Sequence, residues 1–139
     1  MNFFLDTSIC IDVLRTNGPQ KSVELFESFS DNKNSGIISV ITVAELGAGA
    51  ALSPRKDAMK KTGELLAYVR IAELDESVAL AGGRIYATLA RSGRKIEFND
   101  CLIAATAQSL GMHEIVTWNR DHFNRIEGCS AVVPEDLIF

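Results

Sequence analysis

Five short segments, each too brief for a helix and bounded by polar or turn-forming residues, constrain this chain more than any other feature. They are Phe3-Phe4-Leu5, Gly36-Ile37-Ile38-Ser39, Arg70-Ile71-Ala72-Glu73-Leu74, Glu114-Ile115-Val116-Thr117 and Ala131-Val132-Val133. Continuous apolar runs of this length fit strands covered on both faces, the situation of a parallel sheet. Helical patterns separate them. The spacing predicts helices over Ser8–Arg15, stopped by Asn17-Gly18-Pro19, and around Val23, Leu25, Phe26 and Phe29. Further helices are predicted over Val40–Ala51, from Pro54 to about Val69, from Asp75-Glu76-Ser77 to Ser92-Gly93, and over Asn99–Leu110, which Gly111 ends. Alternating strands and helices imply an α/β fold with a central, mostly parallel sheet flanked by helices. In such folds the chemistry gathers at the carboxyl ends of the strands. A length of 139 residues suits one domain over 1–139, with a core large enough to need no disulfide or structural metal.

Composition narrows the function classes. Hydrophobic residues make up 47% and charged residues 23%, and no apolar run approaches the ~18 residues of a membrane span. The start lacks a basic segment before its apolar stretch, so a cytoplasmic location is expected. Cys10, Cys101 and Cys129 lie far apart without CxxC spacing, which argues against zinc and a disulfide framework. The net charge of −4 is wrong for a protein that holds nucleic acid by bulk electrostatics. Binding to RNA would need a metal or local basic patches, for which Arg55-Lys56, Lys60-Lys61, Arg91, Arg94 and Lys95 are the candidates, though each patch also fits a solvated helix face.

Three carboxylates stand in apolar company. Asp6 follows the first strand directly, Glu45 lies within Val40-Ile41-Thr42-Val43-Ala44-Glu45-Leu46, and Asp100 opens Asn99-Asp100-Cys101-Leu102-Ile103-Ala104-Ala105. A buried carboxylate is costly unless paired or bound to a cation. Several converging carboxylates suit a hard divalent ion such as Mg²⁺, which takes oxygen ligands and engages phosphate oxygens. Each also has a purely structural reading. Asp6 can cap the next helix, Thr42 to Glu45 matches a capping box, and Asp100 can sit as a favourable charge at a helix start capped by Asn99. Asp12 reads as an exposed charge. Thr7, Ser8 and Thr117 are candidates to hydrogen-bond the Asp6 carboxylate. His122 reads as a packing or capping group, Glu97 as a surface-loop charge, and Trp118 as a possible stacking surface without an aromatic neighbour to support it.

Taken together, these segments resemble the PIN-domain family, and within it the VapC toxins of toxin–antitoxin pairs. Phe4-Leu5-Asp6-Thr7-Ser8 is similar to the family's first motif, Ile38 to Leu46 to its second, and Asn99-Asp100-Cys101-Leu102-Ile103-Ala104-Ala105-Thr106-Ala107 to its third. Val116-Thr117-Trp118-Asn119-Arg120-Asp121-His122-Phe123 is similar to the fourth. The order is the family's own, across nearly the whole chain. The resemblance implies a Rossmann-like PIN fold and hydrolysis of RNA phosphodiesters to 5′-phosphate and 3′-hydroxyl ends. It implies Mg²⁺ or Mn²⁺ held by Asp6 and Asp100 with Glu45 beside them, and Glu45 or Asp6 orienting or deprotonating the attacking water. Asn119 stands where many relatives have an aspartate, and Asp121 two residues on is read as a solvated charge. The resemblance also implies a homodimer and inhibition by a VapB-type antitoxin. An acidic pocket would accept a partner's arginine, and Val23, Leu25, Phe26 and Phe29, or Ile9, Val13 and Leu14, are candidates for a partner-helix groove unless they face the core.

Two other readings carry weight. An aspartyl-nucleophile phosphatase of the haloacid dehalogenase type also starts on a strand ending in Asp, but needs Asp-x-Asp where this chain has Asp6-Thr7-Ser8. A catalytically weakened PIN fold, serving as an RNA- or partner-binding module, is the alternative that Asn119 keeps open.

Overall fold

The computed structural model describes residues 1–139. Five strands form one sheet: β1 (Asn2–Leu5), β2 (Ser35–Ser39), β3 (Val69–Ala72), β4 (Glu114–Val116) and β5 (Ser130–Val132). Their order is β3-β2-β1-β4-β5, and every pairing is parallel. The expected mostly parallel sheet is thus wholly parallel. The helices are α1 (Thr7–Leu14), α2 (Gln20–Ser30), α3 (Val40–Leu52), α4 (Ala58–Leu66), α5 (Glu76–Arg91), α6 (Phe98–Ser109) and α7 (Arg120–Asn124), with a 3-10 turn over Pro134–Asp136. None is long and apolar enough to cross a membrane.

Alternation along the strands builds two cores. Phe3, Leu5, Ile38 and Val116 point to one face, where they meet Ile9, Leu25, Phe26, Phe29, Leu46 and Leu65. Phe4, Ile37 and Ile115 point to the other, against Cys101, Ile103, Ala104, Ala107 and Phe123. A strand buried on both sides has no polar face, so its apolar run is unbroken.

The helix after Pro54 starts only at Ala58 and stops at Leu66. Pro54 does not open it: the charged stretch Arg55-Lys56-Asp57 intervenes, and Asp57 is the N-terminal boundary residue, without a side-chain cap bond. Helix α7 was not expected, because five residues are too few for a visible apolar period.

From β1 the chain builds outward to β2 and β3, then returns to the other side of β1 for β4 and β5. Between β1 and β4 the direction of winding reverses. Their carboxyl ends flank the crevice where such folds place ligands.

Candidate active site

Asp6 lies at the first of these ends. The backbone pairing of β1 with β4 carries through to it, since its N–H donates to the Val116 carbonyl at 3.0 Å. Asp6 occupies the N-terminal boundary of α1, yet its side chain caps nothing there. Instead Oδ2 accepts from the Ser8 hydroxyl at 2.9 Å and from the Thr117 hydroxyl, across the reversal point, at 2.8 Å. Of the three hydroxyls expected to bond Asp6, Thr7 does not. Thr7 Oγ1 lies 2.9 Å from Thr42 Oγ1 and donates to Glu45 Oε1 at 2.8 Å.

That contact removes the capping-box reading of Glu45. Ser39, not Thr42, caps α3, its hydroxyl accepting from the Ile41 N–H at 3.1 Å. The helix therefore starts earlier than the box requires, and Glu45 sits in its second turn on the side facing α1. Similarly, Asn99 does not cap α6, whose boundary residue is Glu97, also without a side-chain cap bond. Asp100 lies in the first turn and is buried. His122 Nδ1, on α7, stands 3.4 Å from its Oδ2.

The Asp100 carboxyl reports on the electrostatics of the group. Burial and then the Asp6 charge push it up to about 6; His122 opposes this by hydrogen bond and charge, and Glu45 adds a smaller upward push. The carboxylates of Asp6, which follows β1, and of Glu45 on α3 thus both act on Asp100 on α6. They do not yet form a closed shell, since no three His, Cys, Asp or Glu side chains stand close enough together to grip an ion.

The donor set nevertheless suits one. Each carboxylate has one oxygen engaged by the protein: Asp6 Oδ2 by two hydroxyls, Glu45 Oε1 by Thr7, and Asp100 Oδ2 by His122. The second oxygen of each carries no protein hydrogen bond. Carboxylates oriented through one oxygen and open at the other, under mutual repulsion, match the preference of a hard divalent cation.

Asn119 follows differently. It sits at the boundary of α7, exposed, with its backbone N–H donating to Thr117 Oγ1 at 2.9 Å and its side chain in no hydrogen bond. Asp121 is a surface charge paired with Arg125 at 2.7 Å. Sequence reasoning missed two residues. His122, read as a packing group, faces Asp100. Asp12, read as exposed, is only 2% exposed and accepts from Ser22 Oγ, Arg15 and the Trp118 indole. No local pattern marks Asp12, because its partners lie up to 106 residues away.

The partner-groove candidates also need correction. Ile9, Leu25, Phe26 and Phe29 are core residues, and Val13 packs against them. They face inward because α1 and α2 cover one side of the sheet. The groove of about 540 Å³ that the surface does carry lies between α1, α3 and α4. Ile11, Leu14, Leu46 and Ala50 contribute apolar lining, Arg15, Arg55 and Lys61 contribute charge, and Glu45 lies at its edge.

The sequence profile of the PIN domain family matches residues 3–128. The tRNA(fMet)-specific endonuclease VapC of Shigella flexneri is 34% identical over 130 residues, covering 92% of this chain and 94% of that protein. A ribonuclease VapC of Haemophilus influenzae is 32% identical over 128 residues, covering 91% and 92%. Among solved structures, DNA-bound VapBC from Salmonella typhimurium superposes with a TM-score of 0.83 at 30% identity, over 96% of this chain and 98% of that one. Matching motifs, fold and length agree: the chain belongs to the PIN domain family.

Proposed function

We propose that the chain is a divalent-metal-dependent ribonuclease, the toxin of a toxin–antitoxin pair acting in the cytoplasm. The observation that carries this reading is the set of three carboxylates from three elements, each with one oxygen held and the other open, beside the reversal point of a parallel sheet. Relatives named as VapC endonucleases and ribonucleases support RNA as the substrate. Because one of them is named for tRNA(fMet), tRNA is the first substrate class to test.

Asp6 and Asp100 would hold Mg²⁺ or Mn²⁺ through their open oxygens, with Glu45 as the third ligand or its neighbour. When bound, the ion neutralises the scissile phosphate and acidifies a water at the site. Thr7 holds Glu45 through Oε1 and leaves Oε2 without a protein hydrogen bond, suited to accept the water's proton. Ser8 and Thr117 hold Asp6 in one orientation. Asn119, exposed next to Thr117 and carrying a neutral amide, would contribute less.

The partner reading follows from the groove. Its apolar lining fits the apolar face of a partner segment, and Glu45 at its edge, with Asp6 and Asp100 beyond, offers carboxylates to a partner's basic side chain. An antitoxin segment that fills the groove and sets an arginine against the carboxylates would block RNA and cation together. A homodimer belongs to the same reading.

The test is cleavage of tRNA and of single-stranded RNA with Mg²⁺ or Mn²⁺, comparing the parent chain with Asp100→Asn and Asp6→Asn. Both variants should lose at least about 100-fold in rate, comparable to removing an acid–base group, while Asn119→Ala loses far less. Full activity in Asp100→Asn, or activity undiminished by chelator, would refute the mechanism. Binding of RNA without cleavage by the parent would favour the binding-module reading instead.

A further inference from the structure

Asp12 and Trp118 form a pair outside the acidic cluster but wired to it. The Trp118 indole N–H donates to Asp12 Oδ2 at 2.5 Å, and Ser22 Oγ donates to the same oxygen at 2.8 Å. Arg15 Nη2 lies 3.2 Å from the other oxygen. Asp12 is 2% exposed, so this is a buried, fully satisfied carboxylate that grips the edge of an aromatic ring. The ring itself is not buried: Trp118 keeps 37% of its surface in solvent.

The position of that ring is tied to the cluster at two points. The backbone N–H of Trp118 donates to Ser8 Oγ at 3.2 Å, and the same hydroxyl donates to Asp6. The preceding residue, Thr117, donates to the same Asp6 oxygen. Backbone and side chain of Trp118 are therefore both fixed, beside the carboxylates, with part of the ring open.

A ring held this way loses almost no further freedom when a flat group stacks on it. The chain also needs a hold on nucleic acid that does not rely on charge. At a net charge of −4, with an acidic centre, bulk electrostatics does not favour a polyanion, so a contact to the bases adds what charge does not supply. Stacking on a nucleobase is neutral and tolerant of sequence.

We propose that Trp118 is the stacking platform for a base of the RNA strand next to the cleaved phosphate, and that Asp12 is the positioning residue that holds the platform in place. This rests on the ribonuclease reading above and adds a substrate contact to it.

Trp118 is the chain's single tryptophan, so its fluorescence reports on the platform directly. Single-stranded oligoribonucleotide is titrated into the parent chain in chelator and into Asp100→Asn. Saturable quenching is expected, and an oligonucleotide with abasic sites but the same phosphates should quench little. In cleavage assays Trp118→Ala should raise KM about 5- to 150-fold, with the loss in KM exceeding any loss in kcat, and Trp118→Phe should recover most of it. Asp12→Ala should lower the fluorescence anisotropy of Trp118 and raise KM, while Asp12→Asn, which keeps an acceptor for the indole, should restore both. If Trp118→Ala or Asp12→Ala fails to fold, the parent's quenching and the Phe and Asn variants decide. A parent that cleaves RNA without quenching, or Trp118→Phe or Trp118→Ala cutting RNA with KM ratios that ignore the ring, would overturn the platform and leave the nuclease standing. A parent that neither binds nor cleaves RNA would remove both.

Discussion

Burial and the neighbouring Asp6 carboxylate shift Asp100 from 3.8 to about 6, and that shift has a consequence for stability with a definite sign. In the unfolded chain Asp100 releases its proton near 3.8; in the fold it holds the proton until about 6. Between those values the folded state binds more protons, so the Asp100 contribution to stability falls as pH rises through this window and stays low above it. A shift of this size corresponds to at most roughly 3 kcal/mol. Asp100→Asn should therefore stabilise the metal-free fold near pH 7.5 and lose that advantage near pH 4, read from paired thermal melts. An Asn variant less stable than the parent at pH 7.5 without metal would contradict the electrostatic account. The same residue shows why a cation is expected: burial raises its pKa most, and the Asp6 and Glu45 charges that add to it are what a divalent ion would relieve.

At the scale of elements, α6, which carries Asp100, packs closely against α5. Gly82 makes that approach possible. A Cβ there would stand 2.7 Å from Leu102 Cδ2 and 3.2 Å from the Leu102 backbone. Gly82→Ala should force α5 away from α6 at a cost of about 1–3 kcal/mol and lower the melting temperature by several degrees. The adjacent Gly83→Ala is the control, since a Cβ there meets nothing within 4 Å; it should be neutral or stabilising through helix propensity. Equal melting temperatures for the two variants would show that the α5–α6 contact is not tight. Ser39 does a comparable double task. It caps α3 and lies 3.1 Å from Thr106 Oγ1 on α6, so the helix bearing Glu45 and the helix bearing Asp100 share one hydroxyl pair.

For the molecule as a whole, ligand binding and folding are linked. A cation that binds the assembled carboxylates and not the unfolded chain stabilises the fold by about 2.7 kcal/mol at a concentration 100 times its Kd. Millimolar Mn²⁺ or Mg²⁺ should raise the melting temperature of the parent and leave Asp6→Asn nearly unmoved. No rise in the parent would count against the metal site, however the residues are arranged. Light scattering on the purified chain, followed by cleavage with a cognate antitoxin added, tests the dimer and partner readings. A monomer whose activity ignores the antitoxin would separate the nuclease from the toxin.

Short apolar runs between helical periods were enough to determine an α/β architecture with a parallel sheet, because a strand covered on both faces leaves an unbroken apolar trace in the sequence. The motif order around Asp6, Glu45, Asp100 and Asn119 was enough to point to the family. What the chain could not reveal by itself were the contacts between distant segments. Whether Glu45 caps its own helix or faces Thr7 depends on where α3 begins, and Ser39 decides that through packing against Thr106. Asp12 carries the same local pattern as an exposed charge; only the fold brings Ser22 and Trp118 to it and turns it inward. His122 faces Asp100 because α7, too short to announce itself, sets the direction of its side chain. Periodicity records which face of an element is covered, whereas a hydrogen bond between residues 106 apart is chosen by the tertiary packing alone.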